Sequence, residues 1–467
     1  MIVRRVTEPI IAQCAYFIAC PRTRQAILVD PVRDPVRYGG IAAEIGVTIM
    51  AVLETHAPSD YISGVSEMLS AHSVRAFLSG ETTPPTWYSQ NADRWSRRVT
   101  FLRDGDTFSV GDLQARAILT PGHAPGALSV WVEHPESGVH VILTGDALLP
   151  GGAGRAAVGA EDQMRDSLRL LSTLPDDTIV LAGHSSGSAC GRAVKLPGET
   201  TLAIERRFNR VLQTIGSSTD FAQSCVEQTE RPAYFSRMER VNHSERAALL
   251  HELGRAQELE EDRFLQFVSF PRTVVVDTRP WDQFVLDGIE GALHLPLDRF
   301  FAPMAAGAIG ADERVVFICE PDQVEEVMRA LHLLGIDRVD GWISRRAYAA
   351  LDHEIMDLSD VDEISQHAAH GLFQQRDCFV IDVRTTAEWL RGRIAGARLM
   401  TMSQLSDQLS DIPRDRFVLA YCGAGARSAR ACAFLKRRGF RCASLHGGYW
   451  PWFGRGFPVE GVDQPAL

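Results

Sequence analysis

The sequence predicts an α/β protein of several domains, and three features of its 467 residues support that prediction. Short apolar runs rich in Val and Ile alternate with segments rich in Ala, Leu, Glu and Arg, as expected for strands that alternate with helices. In the N-terminal half, four of the apolar runs end on a histidine or an aspartate. Near the C-terminus, a pattern of about a hundred residues occurs twice.

The composition is that of an ordinary globular protein, with 45% apolar residues, 23% charged residues and a net charge of −11. A negative net charge argues against a role at nucleic acids or membrane surfaces, which requires a basic face. The first residues, MIVRR, lack the apolar core of a signal peptide, and no apolar run is long enough to cross a membrane. We therefore expect a cytoplasmic protein without a nucleic-acid or membrane partner.

Cys422 lies in the run 421–428 (YCGAGARS), between a predicted strand and a helical segment. A glycine-rich turn in this position directs backbone N–H groups and the positive end of a helix at the sulfur, and Arg427 adds a positive charge. Four residues separate Cys422 from Arg427, one fewer than in the phosphate loop of cysteine phosphatases. The smaller ring suits a sulfur-bound sulfur, so we expect a nucleophilic thiolate.

The motifs around this loop resemble the rhodanese family of sulfurtransferases over residues 360–460. They are the runs 378–384 (CFVIDVR), 392–397 (GRIAGA) and 445–452 (LHGGYWPW). The resemblance implies that Cys422 carries a persulfide and that Cys422 and Arg427 are catalytic. The remaining loop residues are expected to cradle the persulfide: Gly423, Ala424, Gly425, Ala426 and Ser428.

An earlier copy of the same pattern precedes this domain. Residues 274–279 (VVVDTR) match residues 380–384 (VIDVR), with Asp277 and Asp382 offset by 105 positions. We therefore expect two rhodanese-like domains in tandem, the first at 262–355 and the second at 360–460.

In the first copy, Cys319 takes the place of Cys422, but the loop that follows it has changed. Glu320, Asp322 and Glu325 bring carboxylates near the sulfur, which raises the pKa of the thiol, and no arginine is expected to offset them. Pro321 also removes a backbone donor. The first domain is therefore expected to be inactive and to serve as a spacer or docking surface.

The four polar strand ends of the N-terminal half are His56, His123, Asp146 and His184. A single histidine after a strand is more often structural than a ligand. Four such ends in one domain, three of them preceded by glycine, indicate loops that converge on one rim of a sheet. The sequence therefore predicts one polar site built from four loops.

These strand ends resemble the metallo-β-lactamase fold over residues 1–245, which implies an αββα sandwich with metal between its two sheets. The family's first motif, H-x-H-x-D-H, reads His56-Ala-Pro58-Ser-Asp60-Tyr61 in this chain. Pro58 and Tyr61 stand where a dizinc hydrolase needs ligands. A pair of hydrolytic zinc ions is therefore hard to build from the residues that remain.

Two histidines and one carboxylate with open positions are the usual ligands of non-haem Fe(II) in oxygen chemistry. His56, His123 and Asp146 form such a set, and persulfide dioxygenases, the iron branch of the fold family, use these same motif positions. The resemblance therefore implies one Fe(II) per chain.

Other positions agree only in part with the iron branch. Tyr61 fits it, whereas Pro58 and Arg155 depart from it. The resemblance leaves Asp60 and His184 as vestigial positions of a second metal.

The remaining segments connect these domains. Residues 231–242 resemble the helical tail that follows the metal domain in persulfide dioxygenase–rhodanese fusions, and residues 246–261 are expected to be a linker. The run 187–192 (GSACGR) after His184 is either a helix-start turn that shapes the pocket or a glycine turn without a ligand.

The resemblance of the whole chain implies an enzyme of sulfane-sulfur metabolism. Its iron site would oxidise a low-molecular-weight thiol persulfide, such as glutathione persulfide, with O₂ to sulfite, and Cys422 would transfer sulfur from donors such as thiosulfate. Two alternatives stay open: a sulfurtransferase with a metal-free, inactive scaffold domain, and a zinc-dependent thioester hydrolase of glyoxalase II type. Fused relatives tend to associate, so a homo-oligomer is one expected state.

Overall fold

The computed structural model describes residues 1–194, 199–226, 231–232, 234–245, 247–298, 300–310, 312–351 and 362–461. Two compact units make up the chain. The first unit comprises Met1–Arg231, Phe235–Leu253 and His332–Gly335, and the second comprises Pro232–Tyr234, Gly254–Leu331 and Ile336–Leu467. Among the described helices, none is both long enough and apolar enough to span a membrane.

The first unit contains two six-stranded sheets. The first sheet begins with antiparallel pairs and continues with parallel pairs, in chain order. Its strands are β1 (Ile2–Glu8), β2 (Gln13–Ala19), β3 (Gln25–Val29), β4 (Thr48–Leu53), β5 (Arg75–Ser79) and β6 (Val99–Leu102). The second sheet has the order β12-β11-β10-β9-β8-β7, in which only β10 and β11 are parallel. Its strands are β7 (Thr107–Val110), β8 (Leu113–Leu119), β9 (Leu128–Glu133), β10 (His140–Gly145), β11 (Ile179–Ala182) and β12 (Thr200–Thr201).

The core of this unit lies between the inner faces of the two sheets. Alternate residues of β8 are buried, as expected for a strand with one face on a core, and they pack with residues of β2 such as Tyr16 and Ile18. The outer face of the second sheet packs on helices through a second cluster that includes Ile142, Met164 and Leu168. The α-helices of the unit are α1 (Pro35–Glu44), α2 (Val65–Ala71), α3 (Thr86–Ser89), α4 (Ala92–Trp95), α5 (Glu161–Leu171), α6 (Leu202–Phe208), α7 (Ser218–Val226) and α8 (Phe235–His243). This arrangement confirms the predicted αββα sandwich.

The second unit contains two parallel sheets with the same strand order. In the first, β13 (Gln257–Glu258), β14 (Thr273–Asp277), β15 (Leu293–His294), β16 (Arg314–Cys319) and β17 (Val339–Ser344) lie in the order 13-17-16-14-15. In the second, β18 (Glu363–Ile364), β19 (Cys378–Asp382), β21 (Arg398–Leu399), β22 (Phe417–Tyr421) and β23 (Cys442–Leu445) lie in the order 18-23-22-19-21. Two short strands, β20 (Arg393–Ile394) and β24 (Val459–Glu460), pair with each other.

Helices connect the parallel strands, as parallel pairing requires. They are α9 (Glu261–Val268), α10 (Trp281–Asp287), α11 (Phe301–Ala308), α12 (Val324–Leu333) and α13 (Arg345–Ala349) in the first copy. In the second copy they are α14 (Gln366–Gln375), α15 (Thr386–Leu390), α16 (Ala426–Arg437) and α17 (Tyr449–Gly454). The predicted tandem of two parallel-sheet α/β folds is confirmed.

Each copy keeps the same buried ion pair at the end of one strand, β14 in the first copy and β19 in the second. Arg279 donates to both carboxylate oxygens of Asp277, and Arg384 does the same to Asp382. The two guanidinium groups lie over tyrosine rings, Arg279 at 4.2 Å from the ring centre of Tyr348 and Arg384 at 4.3 Å from that of Tyr449. The repeated Asp-x-Arg motif is therefore a structural brace in both copies.

The first copy also contacts the helix that follows the Cys422 loop. On α16, Arg430 pairs with Asp298 at 2.8 Å and Arg437 with Glu313 at 2.6 Å. Arg438 donates to the Ala308 carbonyl at 2.9 Å. The first copy thus provides a docking face for α16.

The predicted boundaries differ in one place from the elements observed. The segment 246–261, expected to be a linker, contains β13 and the start of α9, so the sheet of the first copy begins before residue 262. β13 was missed because two exposed residues carry no periodic signal. The predicted boundary at 355–360 lies outside the described residues, and the domain bounds otherwise remain predictions.

Asn242 holds the loop that carries the degenerate motif. Its side-chain amide donates to the carbonyls of Pro58 and Tyr61 at 2.7 and 2.8 Å, and its side-chain oxygen accepts from the Ser63 amide at 3.0 Å. Asn242 is buried on α8, so the helical tail fixes the segment that follows His56.

We predict that Asn242→Ala loosens this loop, because it leaves buried backbone groups without partners. The free energy of local opening over residues 56–64 should fall by about 2 kcal/mol, as measured by native-state hydrogen exchange with mass spectrometry. Arg240→Ala removes an exposed side chain from the same helix and should leave exchange in the loop unchanged. Equal protection in Asn242→Ala and wild type would contradict the assignment.

Candidate functional site

Three loops of the first unit bring His56, His123 and Asp146 together. Each follows the end of a strand, β4, β8 and β10 respectively. Asp146 Oδ2 lies 3.4 Å from His123 Nε2 and 3.9 Å from His56 Nε2. The predicted convergence of these strand ends is therefore observed, and the three residues form a group that could hold a metal ion.

Two glycines make this approach possible. Gly122 has φ 135°, and a Cβ there would lie 2.4 Å from the Met164 backbone. Gly145 has φ 48°, and a Cβ there would lie 2.5 Å from Thr55 Oγ1, beside His56. Both positions combine a left-handed backbone with close packing, which only glycine tolerates.

The hydrogen bonds of the two imidazoles turn their Nε2 atoms toward Asp146. The His56 Nδ1 lies 3.0 Å from Thr55 Oγ1, and that hydroxyl donates to Asp30, so it accepts the His56 Nδ1 proton. The His123 Nδ1 lies 2.8 Å from the carbonyl of Arg155, which can only accept. Each ring therefore donates a proton from Nδ1 and turns Nε2 toward Asp146, which is the orientation of a metal-binding imidazole.

The departure at Arg155 leaves this orientation intact, because the bond from His123 goes to the backbone carbonyl of residue 155, which any residue type supplies. His56 is also suited to bind a cation. Burial lowers the pKa of His56 to about 4, although Asp146 opposes that effect, so the imidazole is neutral at physiological pH.

His184 lies between two carboxylates. Its Nδ1 is 2.7 Å from Asp146 Oδ1, and its Nε2 is 2.9 Å from Asp60 Oδ2. Burial lowers the pKa of His184, but Asp146 and Asp60 outweigh it and raise that pKa well above its usual value. Burial raises the pKa of Asp146, yet His184, His123 and His56 together hold it well below its usual range.

Pro58 and Tyr61 contribute backbone contacts to Asn242, and the Tyr61 side chain is buried. The run 187–192 begins no helix, so the helix-start interpretation is wrong. Cys190 in that run instead lies beside Asp60 and His184. Sequence reasoning missed this contact, since no spacing rule links residues 60 and 190.

A cavity of about 680 Å³ opens onto His56. Hydroxyl, amide and imidazole groups line much of it, including those of Ser79, Thr82, Asn242 and His243. The cavity also reaches Glu54, whose pKa burial raises to about 8. A small polar molecule can therefore reach the His56 side of the site.

In the second copy, Cys422 follows β22 directly and α16 begins four residues later, as the sequence predicted. The Gly425 amide donates to Cys422 Sγ at 3.1 Å, and the Ser428 hydroxyl lies 3.6 Å from the same sulfur. The Tyr449 amide donates to the Cys422 carbonyl at 2.7 Å, which anchors the loop from outside. Gly423, Ala424 and Ala426 complete the turn.

Arg427 does not present an unpaired charge to the sulfur. Both of its terminal nitrogens donate to Glu388, at 2.8 and 2.7 Å. Arg427 lowers the pKa of Glu388 to about 2, so the pair persists through neutral and mildly acidic pH. Thr385 and Glu388 form a capping box at the start of α15, and the sequence shows that motif. The contact between Glu388 and Arg427 could not be read from the sequence.

The pKa of the Cys319 thiol is raised, as expected, but the causes differ from those expected. Burial is the first reason that its pKa is raised, to about 12, and Glu320 and Asp322 add to it. The expectation that no arginine offsets the acidic loop is wrong, because Arg345 lowers the pKa of Cys319 and pairs with Glu320 at 3.5 Å. The predicted rise in the pKa of Cys319 is nevertheless observed, because the effect of burial is larger than that of Arg345.

Comparison with known proteins agrees with both folds. Residues 12–184 match the metallo-beta-lactamase superfamily, and residues 361–454 match the rhodanese-like domain. The C-terminal part is 39% identical over 101 residues to a sulfurtransferase of Allochromatium vinosum, covering 21% of this chain and 94% of that protein. The chain joins a metallo-β-lactamase domain to a rhodanese-like domain.

Two further similarities include the first domain of this fusion, and the second of them extends beyond it. The first domain is 31% identical over 170 residues to a hydroxyacylglutathione hydrolase of Rhodospirillum rubrum, covering 36% of this chain. The chain spans about 60% of the length of the curated hydrolases it matches. A solved metallo-β-lactamase from Staphylococcus aureus has a TM-score of 0.63 at 22% identity, covering 74% of this chain and 98% of that one, which shows the fold.

We predict that Glu388→Gln speeds the alkylation of Cys422 by iodoacetamide at pH 7 several-fold. Glutamine keeps the helix cap but removes the charge that neutralises Arg427, so the thiolate becomes more favoured. The rate is measured on the Cys422 peptide by mass spectrometry. Glu460→Gln, which neutralises a surface carboxylate of the same domain, is the control. An unchanged or slower rate in Glu388→Gln would show that Glu388 does not govern the reactivity of Cys422.

Proposed function

We propose that the fusion acts in sulfane-sulfur metabolism, oxidising a low-molecular-weight thiol persulfide at a mononuclear non-haem Fe(II) and transferring sulfur through a Cys422 persulfide. The observation that carries the first half is the convergence of two imidazoles and one carboxylate from three loops. The second half is supported by the Cys422 loop and by the similarity to a sulfurtransferase.

The donor set of the first domain fits a single divalent iron. Nitrogen from His56 and His123 and oxygen from Asp146 suit Fe(II) and leave other positions open. Iron held there would supply the oxygen chemistry, in which a thiol persulfide, O₂ and water give a thiol and sulfite.

The residues of the chain bind and orient the reacting groups. Thr55 and the Arg155 carbonyl fix the two imidazoles, and the charge of Asp146 compensates a bound cation. The cavity beside His56 is large enough for a small thiol, and hydroxyl groups on its wall, such as those of Thr82 and Thr86, would hold the polar part of that molecule.

At Cys422 the thiolate would attack the outer sulfur of a donor such as thiosulfate. The new bond joins Cys422 Sγ to that sulfur, the sulfur–sulfur bond of thiosulfate breaks, and sulfite leaves with the bonding electron pair. The Gly425 amide and the Ser428 hydroxyl are placed to stabilise negative charge on sulfur. Carrying both activities on one chain raises the effective concentration of one site's product at the other.

A second candidate function is supported by the similarity of the first domain to hydroxyacylglutathione hydrolases. Such a function would be hydrolysis of a thioester with zinc. It is less well supported by the site, because Pro58 and Tyr61 replace two ligands of the motif expected for a zinc pair.

We predict that the purified fusion contains about one iron per chain and consumes O₂ with glutathione persulfide, producing sulfite. His56→Ala and His123→Ala should lose both the iron and at least about a hundredfold of the oxygen consumption, since each removes one ligand. Iron is measured by elemental analysis and oxygen with an electrode. His140→Ala changes a histidine on the strand β10, away from the site, and should change neither value.

Three results would distinguish the alternatives. Unchanged oxygen consumption in His56→Ala and His123→Ala contradicts the iron site. Sulfur transfer without iron or oxygen consumption indicates an inactive scaffold domain. Zinc-dependent hydrolysis of S-lactoylglutathione indicates the hydrolase.

We predict that Cys422→Ser abolishes transfer of sulfur from thiosulfate to cyanide, whereas Cys319→Ser retains most of it. Cys422 receives hydrogen bonds from the loop, while burial raises the pKa of Cys319 and keeps that thiol protonated. The assay follows thiocyanate formation. Equal loss in both variants would contradict the proposed difference between the two copies.

A further inference from the structure

Two buried hydroxyl groups lie behind the Cys422 loop. Ser428, in the first turn of α16, and Ser444, on β23, are both 0% exposed, so no bulk water competes for their hydrogen bonds. The two Oγ atoms lie 2.8 Å apart, and Ser428 Oγ lies 3.6 Å from Cys422 Sγ. The three side chains therefore form a row that leads from the sheet through the helix to the sulfur.

The packing of α16 on β23 produces this row. Ser428 and Cys432 are four residues apart and lie on one face of the helix. Cys442 and Ser444 are two residues apart and lie on one face of the strand. The Cys442 thiol donates to the Cys432 carbonyl at 3.4 Å, and Ser444 meets Ser428 one helical turn earlier. The contact between helix and strand therefore fixes the position of the Ser444 hydroxyl.

Each hydroxyl has one proton, and the distances indicate where the two protons lie. Ser428 donates to the Gly425 carbonyl at 2.9 Å. Because that proton is already used, Ser444 is the donor in the 2.8 Å contact with Ser428. The opposite arrangement would direct the Ser444 proton to the Gly425 carbonyl at 3.5 Å, and it would leave the shorter contact of Ser428 with this carbonyl without a proton.

The Ser428 proton can turn from the carbonyl to the sulfur at little cost. The Gly425 carbonyl keeps a second hydrogen bond, which it accepts from the Ala429 amide at 3.0 Å. A negative charge on the Cys422 sulfur attracts the proton, because a hydrogen bond to a charged acceptor is stronger than one to a neutral carbonyl. Ser444 donates to Ser428 in both orientations, and a hydroxyl that accepts a hydrogen bond is a better donor itself.

The first rhodanese-like copy has neither hydroxyl at the matching positions. Trp342 occupies the strand position that Ser444 has in the second copy, since each pairs with the residue two positions before the loop cysteine. Glu325 follows the cysteine of the first copy by six positions, as Ser428 follows the cysteine of the second. The hydroxyl pair therefore accompanies the cysteine that we expect to be reactive.

We propose that Ser444 is a positioning residue for sulfur transfer at Cys422. Its hydroxyl donates to Ser428 and so leaves the Ser428 proton free to bind the sulfur once the thiol has lost its own proton to solvent. Ser444 thus acts on the reacting sulfur through Ser428. This inference rests on the proposed function of Cys422 and extends it to a residue outside the loop.

The experiment measures the alkylation of Cys422 by iodoacetamide in the full chain as a function of pH, with the Cys422 peptide followed by mass spectrometry. Ser444→Ala should slow the reaction at pH 7 about three- to tenfold, because the thiolate loses part of its hydrogen bonding. The midpoint of the rate profile should move to higher pH. The plateau at high pH should stay the same, because the variant does not open the loop to solvent.

Matched variants separate positioning from packing. Cys442→Ala truncates a buried side chain on the same face of β23 and should leave the profile unchanged. In a Ser428→Ala background, adding Ser444→Ala should displace the profile no further, because the effect of Ser444 passes through Ser428. Ser444→Thr keeps a hydroxyl and should keep the wild-type midpoint, which tests the inference even if Ser444→Ala does not fold.

The inference is overturned if Ser444→Ala has the wild-type profile, or if Cys442→Ala or Ser444→Thr displaces the profile as much as Ser444→Ala does. A further displacement by Ser444→Ala in the Ser428→Ala background also overturns it. Its failure differs from a failure of the proposed function. Transfer of sulfur from thiosulfate to cyanide, with an unchanged profile in Ser444→Ala, refutes only the role of Ser444. A displaced profile in a protein that transfers no sulfur supports that role and refutes sulfur transfer.

Discussion

The site in the first domain depends on the contacts of one buried carboxylate, that of Asp146, with three histidines. Its side chain is fully buried, and it faces His56, His123 and His184 at the end of β10. A carboxylate in such a place must be compensated by cations or hydrogen-bond donors. The fold meets this requirement by bringing three strand ends to the same rim, and the glycines before His123 and Asp146 allow the close approach.

The same physical logic applies at Cys422, where hydrogen-bond donors of one loop converge on a buried sulfur. The second copy places the thiol at the carboxyl end of a central parallel strand, where the following helix begins. A backbone amide and a hydroxyl contact the sulfur, and the nearby arginine is itself neutralised by Glu388. The first copy has the same sheet and the same Asp-x-Arg brace, but its cysteine is buried beside acidic residues. The two copies therefore share architecture and differ in the chemistry of one loop.

The parts of this structure that follow from local sequence could be predicted. Strand ends at His56, His123 and Asp146 and the turn at Cys422 depend on periodicity and on glycine, and the structure places them as expected. Contacts between distant segments could not be predicted. Asn242 bonds to the motif loop although about 180 residues separate them in the chain, and Cys190 lies beside Asp60 although 130 residues separate the two. No periodic pattern in the sequence indicates either contact. The contacts of Arg345 with Glu320 and of Glu388 with Arg427 were missed for the same reason.

Anomalous diffraction from crystals of the fusion as purified, with data collected on both sides of the iron absorption edge, would show which metal the first domain binds. We expect an iron peak between Nε2 of His56, Nε2 of His123 and the carboxylate of Asp146. The absence of an iron peak between these three residues, or a peak there that comes from zinc alone, would contradict this expectation.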